Sequence, residues 1–257
     1  MEKNFKTKSL VATSLLLSGL ALSGCSSSSG GSTPTLDGIY SGSITGGVSG
    51  RNGGEKAIIY NNRMMVFSTA SNIQQLLESD ITVTGSSFSG QLDFYDNSNP
   101  IIGTADMTAT FVAGQSVTAT FTNGSDASIT DGAISLAYES DTYKKGSSQE
   151  RITDSWQGAF GGLGNVVSIL VDATGAYTGS DNNCNFTGTI QPADSKVNVY
   201  NVSLTTDANC GMSTTVDKLD PSTTYTGFAW TEGATDTSMN FTVSDGIKSR
   251  TVILTKN

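Results

Sequence analysis

The chain has 257 residues, with 14 basic and 23 acidic side chains and a formal charge of −9. That balance argues against the phosphate backbone of nucleic acid as a partner and against docking on anionic lipid by charge. Histidine does not occur at all, which removes Ser-His-Asp and Cys-His catalysis, the usual zinc sites and histidine-ligated haem.

Residues 1–24 read as an export leader. Lys3, Lys6 and Lys8 make a positive start opposed only by Glu2, and an apolar run of 13 residues follows at 10–22. Such a run is short for a hydrocarbon layer of about 30 Å. It ends in Leu22-Ser23-Gly24-Cys25. This stretch resembles the lipobox of bacterial lipoproteins, in which Leu, two small residues and Cys precede the cut. The resemblance implies that Cys25 receives a diacylglycerol thioether, that cleavage falls before it, and that its new amine is acylated, with palmitate among the fatty acids. Each buried methylene contributes roughly 0.8 kcal/mol to such an anchor. Ser26 stands where Gram-negative lipoproteins held at the inner membrane carry Asp, so the resemblance points to the outer membrane. Ser and Gly dominate residues 25–35, which read as the lipidated Cys and a flexible tether. Without the leader's three Lys and one Glu, 11 basic and 22 acidic residues remain, a mature charge of −11.

The rest reads as all-β. Residues 36–138 form a first domain, 139–151 ("ESDTYKKGSSQER") a polar linker, and 152–257 a second domain. Tyr60-Asn61-Asn62-Arg63 joins two strands, since Asn accepts the positive φ of tight turns. The one helical candidate is 73–78, "IQQLLE". Met107, Ala109 and Phe111 alternate with Thr108 and Thr110. Ala113-Gly114-Gln115 then turns the chain, and Val117, Ala119 and Phe121 alternate back, which makes a hairpin with one buried face. Met239, Phe241 and Val243 alternate with Asn240, Thr242 and Ser244 in the same way. Each half holds seven or eight short strands, a number that closes as a small antiparallel barrel or packs as a sandwich. One 16-stranded membrane barrel is disfavoured by short strands without a lipid-facing apolar band.

An aromatic-x-Gly motif recurs at Tyr40–Gly42, Phe88–Gly90, Trp156–Gly158, Tyr177–Gly179, Phe186–Gly188 and Tyr225–Gly227. Residues i and i+2 share a strand face, so a ring beside a missing side chain suits a tightly curved sheet. The order of the motifs suggests duplication. "GIYSGSI" at 38–44, a hairpin at 56–69 and "SFSGQLDF" at 87–94 parallel "SWQGAF" at 155–160, a hairpin at 165–179 and "NFTGTIQ" at 185–191. The second half, with Trp156 to Gly158, Gly179 to Gly188, and Asn198, Tyr200, Val202, Leu204 and Cys210, resembles modules of uncharacterised proteobacterial lipoproteins. That family implies architecture and no activity; 212–221 departs from its pattern as a longer loop.

With Cys25 assigned to lipid, Cys184 and Cys210 remain in an exported, oxidising setting and read as a disulfide. Its loop of about 27 residues contributes roughly 3 kcal/mol by chain entropy. Other site candidates are weaker. Asp93 with Asp96, and Asp131 with Glu139, are carboxylate pairs of the type glycosidases need. The loops "DATG" (172–175) and "SDNNC" (180–184) offer calcium-type oxygens, although Asx turns explain them equally. The Gly clusters at 46–54 and 161–164 lack the helix and Lys of a phosphate cradle. "SDN" at 180–182 matches a β-lactamase element without its companion motifs. Met64-Met65 is an adjacent pair of potential haem ligands, of which alternation sends one outward.

The expectation is a membrane-anchored outer-membrane lipoprotein without catalytic residues, metal or cofactor. It would act as a binding or structural module toward an envelope or extracellular protein or an apolar small ligand. The alternatives are an inhibitor lipoprotein of the lysozyme or protease type, a lipocalin-like ligand carrier, and an enzyme marked by a buried carboxylate pair.

Overall fold

The computed structural model describes residues 35–48, 54–68, 75–95, 101–122, 124–160, 165–181, 184–210 and 219–257. Eight strands follow one another in the first half: β1 (Gly38–Gly47), β2 (Glu55–Tyr60), β3 (Arg63–Ser68), β4 (Leu76–Thr84), β5 (Ser87–Tyr95), β6 (Ile101–Val112), β7 (Ser116–Thr122) and β8 (Thr130–Tyr138). Each pairs antiparallel with the next, and β8 returns to β1, so the sheet closes as a barrel. After α1 (Ser140–Tyr143) and α2 (Gln149–Ile152) the plan repeats with β9 (Asp154–Phe160), β10 (Asn165–Val171), β11 (Ala176–Asp181), β12 (Cys184–Pro192), β13 (Tyr200–Thr206), β14 (Thr224–Glu232), β15 (Ser238–Ser244) and β16 (Ser249–Lys256). Here β16 closes on β9. The chain is therefore two tandem antiparallel β-barrels, and the choice between barrel and sandwich falls to the barrel.

Local sequence accounts for much of this. In β6 and β7 the inward Met107, Ala109, Phe111, Val117, Ala119 and Phe121 are buried, while Thr108, Thr110, Thr118 and Thr120 are exposed. Asn61 and Asn62 turn β2 into β3 with φ of 51° and 63°, the left-handed pair a two-residue hairpin needs. The aromatic-x-Gly sites are points of tight coiling. At Gly42 and Gly227 a Cβ would run into the carbonyls of Ser135 and Thr242 on the neighbouring strand. Gly179 lies directly against the Phe186 ring.

Both barrels begin with the same lock. The Tyr40 hydroxyl donates to the Leu36 carbonyl four residues back at 2.7 Å, and Trp156 Nε1 donates to the Ile152 carbonyl at 2.8 Å. Leu36 and Ile152 each enter the core of their own barrel. The proposed duplication is thus in phase at the first strand. It is out of phase at the third motif, because "SFSGQLDF" lies in the fifth strand of its barrel and "NFTGTIQ" in the fourth of its own.

The helix expected at 73–78 is not formed where it is described. Leu76, Leu77 and Glu78 begin strand β4, and residues 73–74 lie outside the described residues. Leu77 points into the first barrel while Leu76 joins a separate apolar cluster outside it. A strand covered on both faces loses its period-2 signature, and two adjacent Leu then read as helical.

That outer cluster joins the barrels. Ile39, Ile58, Met65, Phe67, Leu76 and Tyr95 from the first barrel's outer wall meet Tyr143, Val199, Phe228 and Trp230. The rings of Phe67 and Trp230 lie 5.5 Å apart, and those of Tyr60 and Phe228 5.9 Å. The Ile101 amide donates to the Ile247 carbonyl across the joint at 2.7 Å. Residues 34–257 consequently form one compact unit. The segment between β8 and β9 is fastened to the second barrel by Asn198, which is fully buried. Its Nδ2 donates to the carbonyls of Thr142 (3.0 Å) and Thr231 (2.7 Å), and its Oδ1 accepts from the Thr231 amide (3.2 Å).

Cutting the joint tests how far the barrels depend on each other. Phe67→Ala should lower unfolding stability by about 3–5 kcal/mol, as for other buried Phe truncations. In denaturant titrations the loss should coincide with earlier separation of the two barrels. A loss below about 1 kcal/mol, the central value for an unselected substitution, would mean that neither barrel leans on the other.

Candidate functional site

Binding sites in small barrels are usually sought in the lumen, and both lumens here are filled with side chains. The first holds Tyr40, Phe88, Phe94, Phe111 and Phe121 among aliphatic residues, with Phe94 and Phe121 packed edge to face at 5.5 Å. The second holds Trp156, Tyr177, Phe186, Tyr225 and Phe241. It retains a cavity of about 10 Å³, lined in part by Phe186, Phe241, Asp181 and Arg250. That is the space of a single water. Arg250 and Asp181 form an ion pair at 3.4 Å, with side chains only 6% and 8% exposed. Removing one partner would strand a buried charge, so the pair is held in place without adding much net stability.

Concave space lies on the outer walls instead. A groove of about 500 Å³ crosses β4 to β7. Thr82, Ser89, Thr108 and Thr120 stand in one cross-strand row, and Thr84, Ser87, Thr110 and Thr118 in the next. The Thr108 and Thr120 hydroxyls are 3.3 Å apart. A groove of about 490 Å³ on β9 to β12 carries Ser168, Thr178, Ser180, Asn185 and Thr187 around Leu170, which is 60% exposed. Hydroxyl and amide groups of this kind donate and accept hydrogen bonds but bring no base that would make a hydroxyl nucleophilic.

The acidic candidates separate. Asp131 and Glu139 stand at opposite ends of β8, about 26 Å apart along the strand at 3.3 Å per residue. Glu139 accepts from Lys56 Nζ at 2.8 Å, and the same amine reaches Glu232 at 3.1 Å. Burial works to raise the Glu139 carboxyl, but hydrogen bonds from Lys56 and Ser41 outweigh it and hold it below its ordinary value. Asp96, proposed beside Asp93, lies outside the described residues. Across the β4–β5 ladder Asp93 stands opposite Glu78. Burial first, then the charges of Glu78 and Asp80, push Asp93 up to about 6. This pair resembles the carboxylates an enzyme would use, yet neither acid lines either groove. The Glu78 oxygens are already taken by Arg63 Nε, at 2.6 Å, and by the Ser244 hydroxyl.

The remaining candidates resolve into structural roles. Asp172 Oδ1 accepts from the Thr174 hydroxyl (2.6 Å), the Thr174 amide (2.7 Å) and the Ala176 amide (3.1 Å), an Asx turn that holds the acid below its ordinary value. In 180–184, Asp181 serves Arg250, and residues 182–183 lie outside the described residues. Cys184 and Cys210 form a disulfide with Cα atoms 4.5 Å apart. Asp207 lies beside them, but sulfurs bonded to each other offer no thiolate to a metal. Met64 enters the first barrel and Met65 the joint, so the outward Met is buried by the second barrel. Cys25, the Gly cluster at 161–164 and residues 49–53 of the cluster at 46–54 lie outside the described residues.

No residue was recognised from sequence as belonging to the joint. The available signal was the loss of alternation in "AII" (57–59) and "MMVF" (64–67), which are apolar on both strand faces.

No family model matches this chain, and no curated protein matches it.

Replacing both Cys184 and Cys210 by Ser should cost about 3 kcal/mol of stability, from the entropy of a loop of 26 residues. Guanidinium unfolding of the native chain under reducing conditions should reproduce the loss. Equal midpoints for oxidised and reduced protein would remove the disulfide from the account of stability.

Proposed function

We propose that this chain is a lipid-anchored, non-catalytic binding or structural module of the cell envelope, and that it makes its contacts through the outer walls of its two barrels. The observation that carries the reading is the packing of both lumens. A ligand of the lipocalin kind would have to displace Phe88, Phe94, Phe111 and Phe121 from the first barrel. In the second it would meet the Arg250–Asp181 pair beside a space of about one water. Packed barrels serve as rigid supports, and the grooves on their walls expose uncharged hydroxyls in rows.

The anchoring half of the proposal rests on Leu22-Ser23-Gly24-Cys25 and the Ser/Gly stretch after it. The disulfide fits an oxidising compartment outside the cytoplasm. A non-catalytic role is supported by the positions of the acids: Glu139 and Glu78 are held in ion pairs, and Asp172 caps a turn.

Two measurements test the proposal. Cys25→Ser should move the protein from the membrane fraction to the soluble fraction and remove the mass of the acyl groups. Unchanged fractionation and mass would end the anchoring claim. Purified chain titrated with an environment-sensitive apolar dye should show no stoichiometric uptake; saturable binding of one dye per barrel would overturn the outer-wall reading.

A further inference from the structure

The joint between the barrels is mostly apolar, but its edge is charged. Arg63 on β3, opposite Asp80, pairs diagonally with Glu78 on β4 on the first barrel's outer wall, and both reach across. Arg63 donates to the Thr226 hydroxyl at 3.3 Å and the Thr226 carbonyl at 3.2 Å, and its guanidinium lies over the Phe228 ring at 5.9 Å. Glu78 accepts from the Ser244 hydroxyl of the second barrel. Directly opposite Glu78 on β5 stands Asp93, on the face that two residues later carries Tyr95 into the joint. Like charges directly opposite on neighbouring strands repel.

Among the described residues, the surroundings of Asp93 add no second cation. From β4 it faces Glu78 and Asp80, and from its own strand Tyr95. From β6 its partner is the uncharged Thr104, while Asp106 lies two pairs further along, opposite Gln91. From the second barrel come Ser244 and Asp245, and Asp245 adds negative charge near Tyr95. Lys248, in the same turn as Asp245, is engaged with Asp220 at 2.6 Å. Arg63 is bound to Glu78.

We propose that this joint is a proton-sensitive clamp: protonation of Asp93 removes the like charge beside the carboxylate that bridges the barrels, and the barrels grip each other more tightly in mild acid than at neutral pH. Burial and the neighbouring carboxylates place the Asp93 proton at about 6, above its ordinary 3.8. A folded-state value above the unfolded one means extra stability that is complete below the ordinary value and is lost as the pH rises through about 6. The clamp therefore acts between mild acid and neutrality, while Arg63 keeps Glu78 paired with the second barrel.

The chain contains two Trp, and Trp230 lies in the joint while Trp156 lies inside the second barrel. In the purified full chain carrying Trp156→Phe, acrylamide quenching of Trp230 should fall severalfold as the pH is lowered, with a midpoint at about 6. Asp93→Asn should show the low, acid-type quenching throughout, and Glu78→Gln should weaken the response and move its midpoint down, because burial and Asp80 alone then raise Asp93. Where Trp156→Phe does not fold, hydrogen exchange of β14 in the otherwise native chain reads the same joint. After correction for intrinsic rates, β14 should be more protected in acid, and Asp93→Asn should abolish the difference. A native joint that is indifferent to pH, or an Asp93→Asn or Glu78→Gln chain that titrates like its parent, overturns the proposal.

Discussion

Burial of the first barrel's outer wall against the second is the constraint on which the rest of the molecule depends. Ile39, Ile58, Met65, Phe67 and Leu76 point away from their own lumen, and exposed together they would form a contiguous apolar patch of the kind soluble proteins avoid. Covering each one contributes about 1.5–3 kcal/mol. The cover has a cost on the other side. Asn240, Thr242 and Ser244 occupy the positions of β15 that alternation assigns to solvent, and all three are buried. Thr242 finds Thr251 at 2.9 Å and Ser244 finds Glu78. The Asn240 amide finds no partner among the described residues, a cost of about 1–3 kcal/mol. The apolar gain exceeds it.

Curvature is the second constraint. Eight strands close around a filled lumen only if the sheet coils tightly, and coiling brings neighbouring backbones too close for a Cβ at Gly42 and Gly227. The two barrels solve closure differently. In the first, β1 and β8 pair from Tyr40↔Tyr138 to Gly47↔Thr130. In the second, β9 and β16 pair at Gln157↔Thr255 and Trp156↔Lys256. The seam is reinforced there by the Lys256 amine, 5.5 Å from the centre of the Trp156 ring and 3.3 Å from Asp154.

These constraints bear directly on function. A lumen packed to make a small barrel stable holds little free space, which is why the proposed recognition is placed on the walls. A wall that is already committed to the other barrel leaves grooves on the hydroxyl-bearing faces of β4 to β7 and β9 to β12. On the lipid tether we propose, the pair of barrels would meet its partners as one rigid body. The acidic edge of the joint then gives that rigidity a dependence on pH.

The sequence by itself determined the features that depend on neighbours within a few residues. Alternation marked β6 and β7, Asn61-Asn62 marked a tight hairpin, the ring-and-glycine motif marked curvature, and two cysteines left after Cys25 marked the disulfide. Tertiary structure alone decided which outer face would be covered. One Met of the 64–65 pair read as outward and Leu76 as part of a helix because the surface that buries Met65 and Leu76 comes from strands more than 100 residues later. Asp93 was a candidate with Asp96, which lies outside the described residues; across the strand it stands opposite Glu78, and Glu78 in turn answers to Ser244, 166 positions away. Periodicity reports a residue's orientation relative to its own strand. What stands opposite that face is set by packing between distant segments, and no local pattern encodes it.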